Sequence, residues 1–132
     1  MADQNNAFDN LTNTPDLTEQ FDQTDIQNNK ILSLFSYLGI LFLVPLLAAK
    51  DSKFARFHAN QGIALFILSI ALNIASFILG IIFGLIKLSF VATIISWMVY
   101  GVILVLAIMG IVSAVQGKAK KLPIIGGITI LK

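Results

Sequence analysis

The 132 residues include nine Lys and Arg, seven Asp and Glu, one His and no Cys; 57% are apolar, and the mean hydropathy is +0.86. That length fits one domain, and the apolar share exceeds what the core of a water-soluble protein uses. The absence of cysteine excludes disulfides, thiolate metal ligands and cysteine nucleophiles, and His58, with Asp51 as the only acid beyond residue 25, leaves too few ligands for a metal centre.

Residues 1–29 are rich in Asn, Gln, Asp and Thr, and hold Asp3, Asp9, Asp16, Glu19, Asp22 and Asp25 without a single base. Their scattered apolar side chains are too few to offset chain entropy, so the segment reads as a disordered acidic polar tail. It has neither the basic start nor the apolar run of a signal peptide and is expected to remain on the mature chain. Residues 30–132 form the expected transmembrane domain.

Three stretches free of Asp, Glu, Lys and Arg follow, at about 31–49, 62–86 and 88–115. As helices they reach roughly 28, 38 and 42 Å against a hydrocarbon core of about 30 Å, which predicts an all-α integral membrane protein with three transmembrane helices. The first is the shortest. Gly39 and Pro45 interrupt it and are expected to distort its exit.

Residues 50–61 read as an interfacial connector. On a helix Lys53, Arg56 and Asn60 share one face and Phe54, Phe57 and Gln61 another, so the rings sink toward acyl chains while Lys50 and Lys53 meet lipid headgroups.

In the second stretch Gly62, Ser69, Asn73, Ser76, Gly80 and Gly84 project to one stripe at 100° per residue, and in the third Ser89, Ser96, Tyr100, Ala107, Gly110 and Ala114 do the same. Small residues in line let helices approach closely in lipid, so Ser69, Ser76, Gly80, Gly84, Ser96, Gly110 and Ala114 are assigned to helix packing. Lys87 alone separates the two stretches, which predicts a tight antiparallel hairpin. Asn73 is the one amide inside a span and should face an interface or a polar cavity.

Residues 116–132 form a basic tail whose Lys118, Lys120 and Lys121 suit anionic headgroups, followed by a short apolar run broken by Pro123, Gly126 and Gly127. With three spans, loop 50–58 and this tail lie in the cytoplasm, opposite the acidic amino terminus and Lys87. In an alternative arrangement the first stretch dips in and returns, leaving both termini and every basic cluster on one side.

The ordered series Ser36-Tyr37-Leu38-Gly39, Pro45-Leu46-Leu47, Lys50-Asp51-Ser52-Lys53-Phe54 and Arg56-Phe57-His58-Ala59-Asn60-Gln61-Gly62, with Gly117-Lys118 and Leu122-Pro123-Ile124-Ile125-Gly126, resembles a family of small bacterial and archaeal membrane proteins similar to the Tic-twenty-like import components. The resemblance implies an accessory, non-enzymatic role in peptide or protein translocation at the plasma membrane. Those import components have four spans and this chain offers three, so pore formation does not carry over.

Arg56, His58, Asn60, Gln61 and Asn73 are the candidate contacts to a partner or substrate; the competing assignment gives Arg56 to phosphate and His58, Asn60 and Gln61 to backbone groups at a helix start. Two other functions fit the residues: an oligomeric passive channel or small-solute transporter, and a membrane-resident immunity or stress protein. In-span charges for coupled transport are missing, as is any constellation for hydrolysis, phosphoryl transfer or redox work. The expected partners are the lipid bilayer and another membrane protein or a second copy, with no nucleic acid, metal or cofactor.

Overall fold

The computed structural model describes residues 16–123. Its elements, in order, are a 3-10 turn Thr18–Gln20, helix α1 (Gln23–Ser33), 3-10 turns Leu34–Tyr37 and Gly39–Phe42, a short helix α2 (Leu43–Ala48), and two long helices, α3 (Lys53–Leu85) and α4 (Ser89–Val115).

Among the described residues, two of the four helix starts have a side-chain cap. Asp22 caps α1 by accepting a hydrogen bond from the Thr24 amide at 3.1 Å, and Ser52 caps α3 by accepting from the Ala55 amide at 3.0 Å. The 33 and 27 residues of α3 and α4 rise about 50 and 40 Å, and both are long and apolar enough to cross a membrane. Their outer faces carry Phe77, Leu85, Trp97 and Met98, all exposed within the isolated chain, as lipid-facing side chains would be.

The hairpin turns on a Schellman closure. Leu88 donates to the Phe83 carbonyl at 2.7 Å and Lys87 to the Gly84 carbonyl at 3.2 Å, with Lys87 at φ 62° in the left-handed region. The same closure ends α4, where Lys118 donates to Ser113 and Gly117 sits at φ 73°. A lysine at such a position is uncommon.

The first apolar stretch departs from expectation. Residues 31–49 do not form one spanning helix: α1 ends at Ser33, two 3-10 turns follow, and Gly39 at φ 63° reverses the chain before α2. Pro45 falls in the first turn of α2, where the missing amide costs nothing. The folded segment lies over two glycines. A Cβ on Gly62 would overlap the Ser36 carbonyl, and one on Gly110 would overlap the Tyr37 ring. Leu34–Tyr37 therefore wedges between α3 and α4, and Tyr37 joins Ala64, Leu65, Leu106, Ala114 and Leu122 in the main core.

The acidic tail also departs from expectation over its described part, since residues 18–33 are largely helical and packed. Ile26 is 2% exposed beside Phe54 and Ala119, and Phe21 meets the rings of Phe54 and Phe57 edge-on at 6.0 and 5.7 Å. The segment is too poor in apolar residues to fold alone, but the base of the hairpin supplies the other half of its core. Burying one such side chain contributes about 1.5–3 kcal/mol. The domain boundary expected at residue 30 thus falls inside α1. Residues 1–15 of the tail and 124–132 of the basic tail, with the apolar run from Ile124 to Gly127, lie outside the described residues.

One contact set corrects the topology. Asp16 and Lys120 form an antiparallel bridge, Leu17 donates to the Ala119 carbonyl at 2.9 Å, and the Ala119 amide donates to Thr18 Oγ1 at 3.0 Å. The acidic segment and the basic tail therefore share one end of the hairpin, which is incompatible with a three-span order that puts them on opposite sides.

A polar clasp at the base of the hairpin

The base of the hairpin is knitted by side chains from the run at residues 56–62, and His58 is central. Its position on the first turns of α3 points the ring inward, where it is fully buried. Nε2 lies 2.8 Å from the Lys118 carbonyl oxygen and Nδ1 lies 2.5 Å from the Tyr37 hydroxyl. A carbonyl only accepts, so Nε2 carries the proton and Nδ1 accepts from Tyr37 in the neutral ring. The rings of Phe54, Phe57 and Tyr37 stand edge-on around it at 4.7, 5.2 and 5.6 Å. One imidazole thereby joins the 3-10 segment, α3 and the tail.

Gln61, one turn on, accepts from the Leu122 amide at 2.9 Å, and Ser113 donates to the Lys118 carbonyl at 3.0 Å. The tail needs these partners because extended backbone in a buried site must find donors and acceptors somewhere. Asp25 performs the equivalent task for the acidic segment. Its carboxylate accepts from the Ser52 hydroxyl, from Asn29 Nδ2 at 2.8 Å and from the Phe54 amide at 3.0 Å, at the amino end of α3 where the helix dipole favours an anion. Burial pushes its carboxyl up, but these hydrogen bonds outweigh burial and hold it below the ordinary carboxylate value. Asp16 is also held low, by the hydroxyl and amide of Thr18 and by the nearby Lys118 and Lys120.

Of the candidate contacts, His58 and Gln61 converge on the tail, Asn60 is half-buried beside them, and Arg56 faces outward. Asn73 is elsewhere. Fifteen residues beyond His58, about 22 Å along the helix, it accepts from the Tyr100 hydroxyl at 3.2 Å and donates to the Ser69 carbonyl at 2.7 Å. Of the packing residues, Gly110 receives Tyr37, Ala114 is fully buried, and a Cβ on Gly84 would lie 3.8 Å from Ser89 Oγ, while one on Gly80 would meet nothing within 4 Å. Ser76, Gly80 and Ser96 instead line an open groove of about 410 Å³ between α3 and α4. Lys50, Lys53, Lys118, Lys120 and Lys121 all lie at the clasp end, the first three exposed and the last two half-buried. Among the described residues, no three His, Cys, Asp or Glu side chains converge as metal ligands.

Tyr37 and Asp25 are bonded parts of the clasp that the residue pattern does not single out. Tyr37 stands inside a quoted motif, but nothing local tells that its hydroxyl reaches His58, and Asp25 looks like one acid among six.

Residues 28–130, a stretch that takes in the hairpin and most of the clasp, match the model of the magnetosome magnetite crystal formation protein family, MamF/MmsF. The chain belongs to this family. Magnetosome protein MamF of Magnetospirillum gryphiswaldense is 33% identical over 99 residues, covering 73% of this chain and 78% of the relative. Magnetosome protein MmsF of Paramagnetospirillum magneticum is 32% identical over 101 residues, covering 72% and 79%. No solved structure matches. Membership of the MamF/MmsF family, together with two apolar helices of spanning length, marks a membrane protein.

This assignment overturns the resemblance to Tic-twenty-like import components and with it the translocation role; the channel, transporter and immunity readings do not match the family either. The physical reason lies in the motif that carried the resemblance. In this MamF/MmsF-family chain His58 and Gln61 hold the tail and Gly62 admits Ser36, so the run reports how the clasp closes and says nothing of translocation.

Proposed function

We propose that this protein is a non-enzymatic membrane component of magnetite crystal formation, seated in a magnetosome-type membrane as a two-pass hairpin. The observation that carries this reading is the family match over residues 28–130, the same residues that build the hairpin and most of the clasp. The segment 34–48 then dips into the clasp-side leaflet and returns, in keeping with its 3-10 turns and the left-handed Gly39. Among the described residues Lys30, Lys50, Lys53, Arg56, Lys118, Lys120 and Lys121 sit at the clasp end and Lys87 alone at the other, so the positive-inside rule favours a cytoplasmic clasp.

In that orientation the far side presents, among the described residues, little more than the turn around Lys87. The reading therefore assigns the protein an organising role in the membrane, exerted through its hairpin faces and its cytoplasmic clasp on another membrane protein or a second copy, and not direct templating of mineral. The test is replacement of a MamF/MmsF relative by this chain in a magnetosome-forming bacterium, with crystal dimensions measured by electron microscopy. Crystals return toward wild-type size if the reading holds. Crystals that stay as in the deletion strain, while a fluorescent fusion of this chain reaches the magnetosome membrane, would count against it.

A further inference from the structure

Beside the clasp, between α1 and the loop joining α2 to α3, lies a cavity of about 690 Å³. Asp22, Lys50, Asp51 and Lys53 line it, and Ala48 at the end of α2 forms part of its wall. Among the described residues the side chains of Lys50, Asp51 and Lys53 form no ion pair, and Asp22 uses one oxygen on the Thr24 amide at 3.1 Å. Two ammonium groups and two carboxylates thus share one cavity without neutralising one another. Asp25, the third carboxylate in the wall, is already consumed by Ser52, Asn29 and the Phe54 amide. Close in the chain to the wall residues Ala48 and Asn29, Leu47 and Ile31 are exposed apolar side chains, at 63% and 58%. The cavity therefore opens where the apolar surface of the dipping segment gives way to charge, which in a bilayer is headgroup depth.

We propose that this cavity binds the headgroup of a zwitterionic phospholipid carrying a primary ammonium, of the phosphatidylethanolamine type. The phosphate lies toward Lys50 and Lys53, the ammonium toward Asp22 and Asp51, and the acyl chains run along Leu47 and Ile31. An ammonium offers three N–H donors to two carboxylates, a trimethylated choline offers none, and a glycerol headgroup brings no cation. A free phosphate would satisfy the lysines and leave the aspartates opposed to it. The proposal needs only that the hairpin sits in a bilayer and stands apart from the mineral role.

Native mass spectrometry of the full-length protein, released from nanodiscs of equimolar phosphatidylethanolamine and phosphatidylglycerol, tests it. The wild type is expected to retain the ethanolamine lipid about threefold or more over the glycerol lipid, the scale that two exposed ion pairs supply. Asp22→Asn with Asp51→Asn brings that ratio to parity or below, and Lys50→Gln with Lys53→Gln lowers retention of both lipids. Since Asp22 also caps α1, the single Asp51→Asn variant in the exposed loop keeps the test valid if the double variant loses helical circular dichroism. Equal retention of the two lipids by the wild type, or an unchanged ratio in Asp51→Asn, would overturn the site. Phosphatidylcholine retained as well as phosphatidylethanolamine would overturn the ammonium contact, and displacement by glycerophosphoethanolamine at equal concentration would overturn a lipid source.

Discussion

The ring of Tyr37 occupies the space that a side chain at position 110 would need: a Cβ there would stand 2.6 Å from Tyr37 Cζ. The small residue on α4 is thus read by the folded-in 3-10 segment, and not by α3. Gly62 has the same relationship to Ser36, with the carbonyl carbon 2.6 Å from where a Cβ would sit.

Gly110→Ala is expected to destabilise the hairpin by about 1–3 kcal/mol, because the Tyr37 ring must move, and Gly62→Ala by more, because its obstacle is backbone. Gly80→Ala and Gly101→Ala, which meet nothing within 4 Å, should be neutral or stabilising by up to about 1 kcal/mol through helix propensity. Unfolding in detergent with increasing dodecyl sulfate ranks the four.

His58→Ala leaves the buried Tyr37 hydroxyl without a partner, at about 1–3 kcal/mol, and leaves the Lys118 carbonyl held by Ser113 alone. Tyr37→Phe leaves the buried Nδ1 of His58 without its donor and should cost about 1–3 kcal/mol. Limited trypsin digestion at Lys118, Lys120 and Lys121 reports the local effect: cleavage accelerates in His58→Ala and Gln61→Ala, and barely changes in Arg56→Gln. Equal rates in all three would remove His58 and Gln61 as tail anchors.

The acid limb of stability should depend on Asp25. Its folded carboxyl sits below the ordinary 3.8, so folding favours the ionised form. That contribution is complete above the unfolded value and is lost as pH falls from there through the lower folded value. Asp25→Asn is expected to weaken the protein at neutral pH and to flatten the decline below pH 3.8. A wild-type decline of unchanged steepness in the variant would assign acid sensitivity to other carboxylates.

Cysteine labelling tests the topology directly, since the chain has no native cysteine. Asp16→Cys and Lys118→Cys should react with an impermeant maleimide from the same side of sealed vesicles and Lys87→Cys from the other. Labelling of positions 16 and 118 from opposite sides would restore three spans.

The two long helices are legible in the sequence because an uncharged run of this length has one stable form in lipid, and because a single lysine between two such runs leaves room only for a tight turn. The clasp is not legible, because its bonds join residues distant in the chain: 21 apart for Tyr37 and His58, 60 for His58 and Lys118, and 101 for Thr18 and Ala119. Residues 31–49 mislead for a different reason. Hydropathy counts apolar side chains, whereas the path there is decided by Gly39 and by space over Gly62 and Gly110. The acidic segment misleads because composition judges it as a free chain, while Ile26 and Phe21 pack on residues that come later.

The bridge between Asp16 and Lys120 also sets an order of events during synthesis. The acidic segment emerges from the ribosome earlier, yet the stretch it pairs with follows both long helices. Its docking must therefore wait until α4 has been synthesised, and the clasp closes only on a hairpin already complete. Chains truncated within α4 would leave Ile26 and Phe54 without Ala119, exposing an apolar face that membrane quality control can recognise.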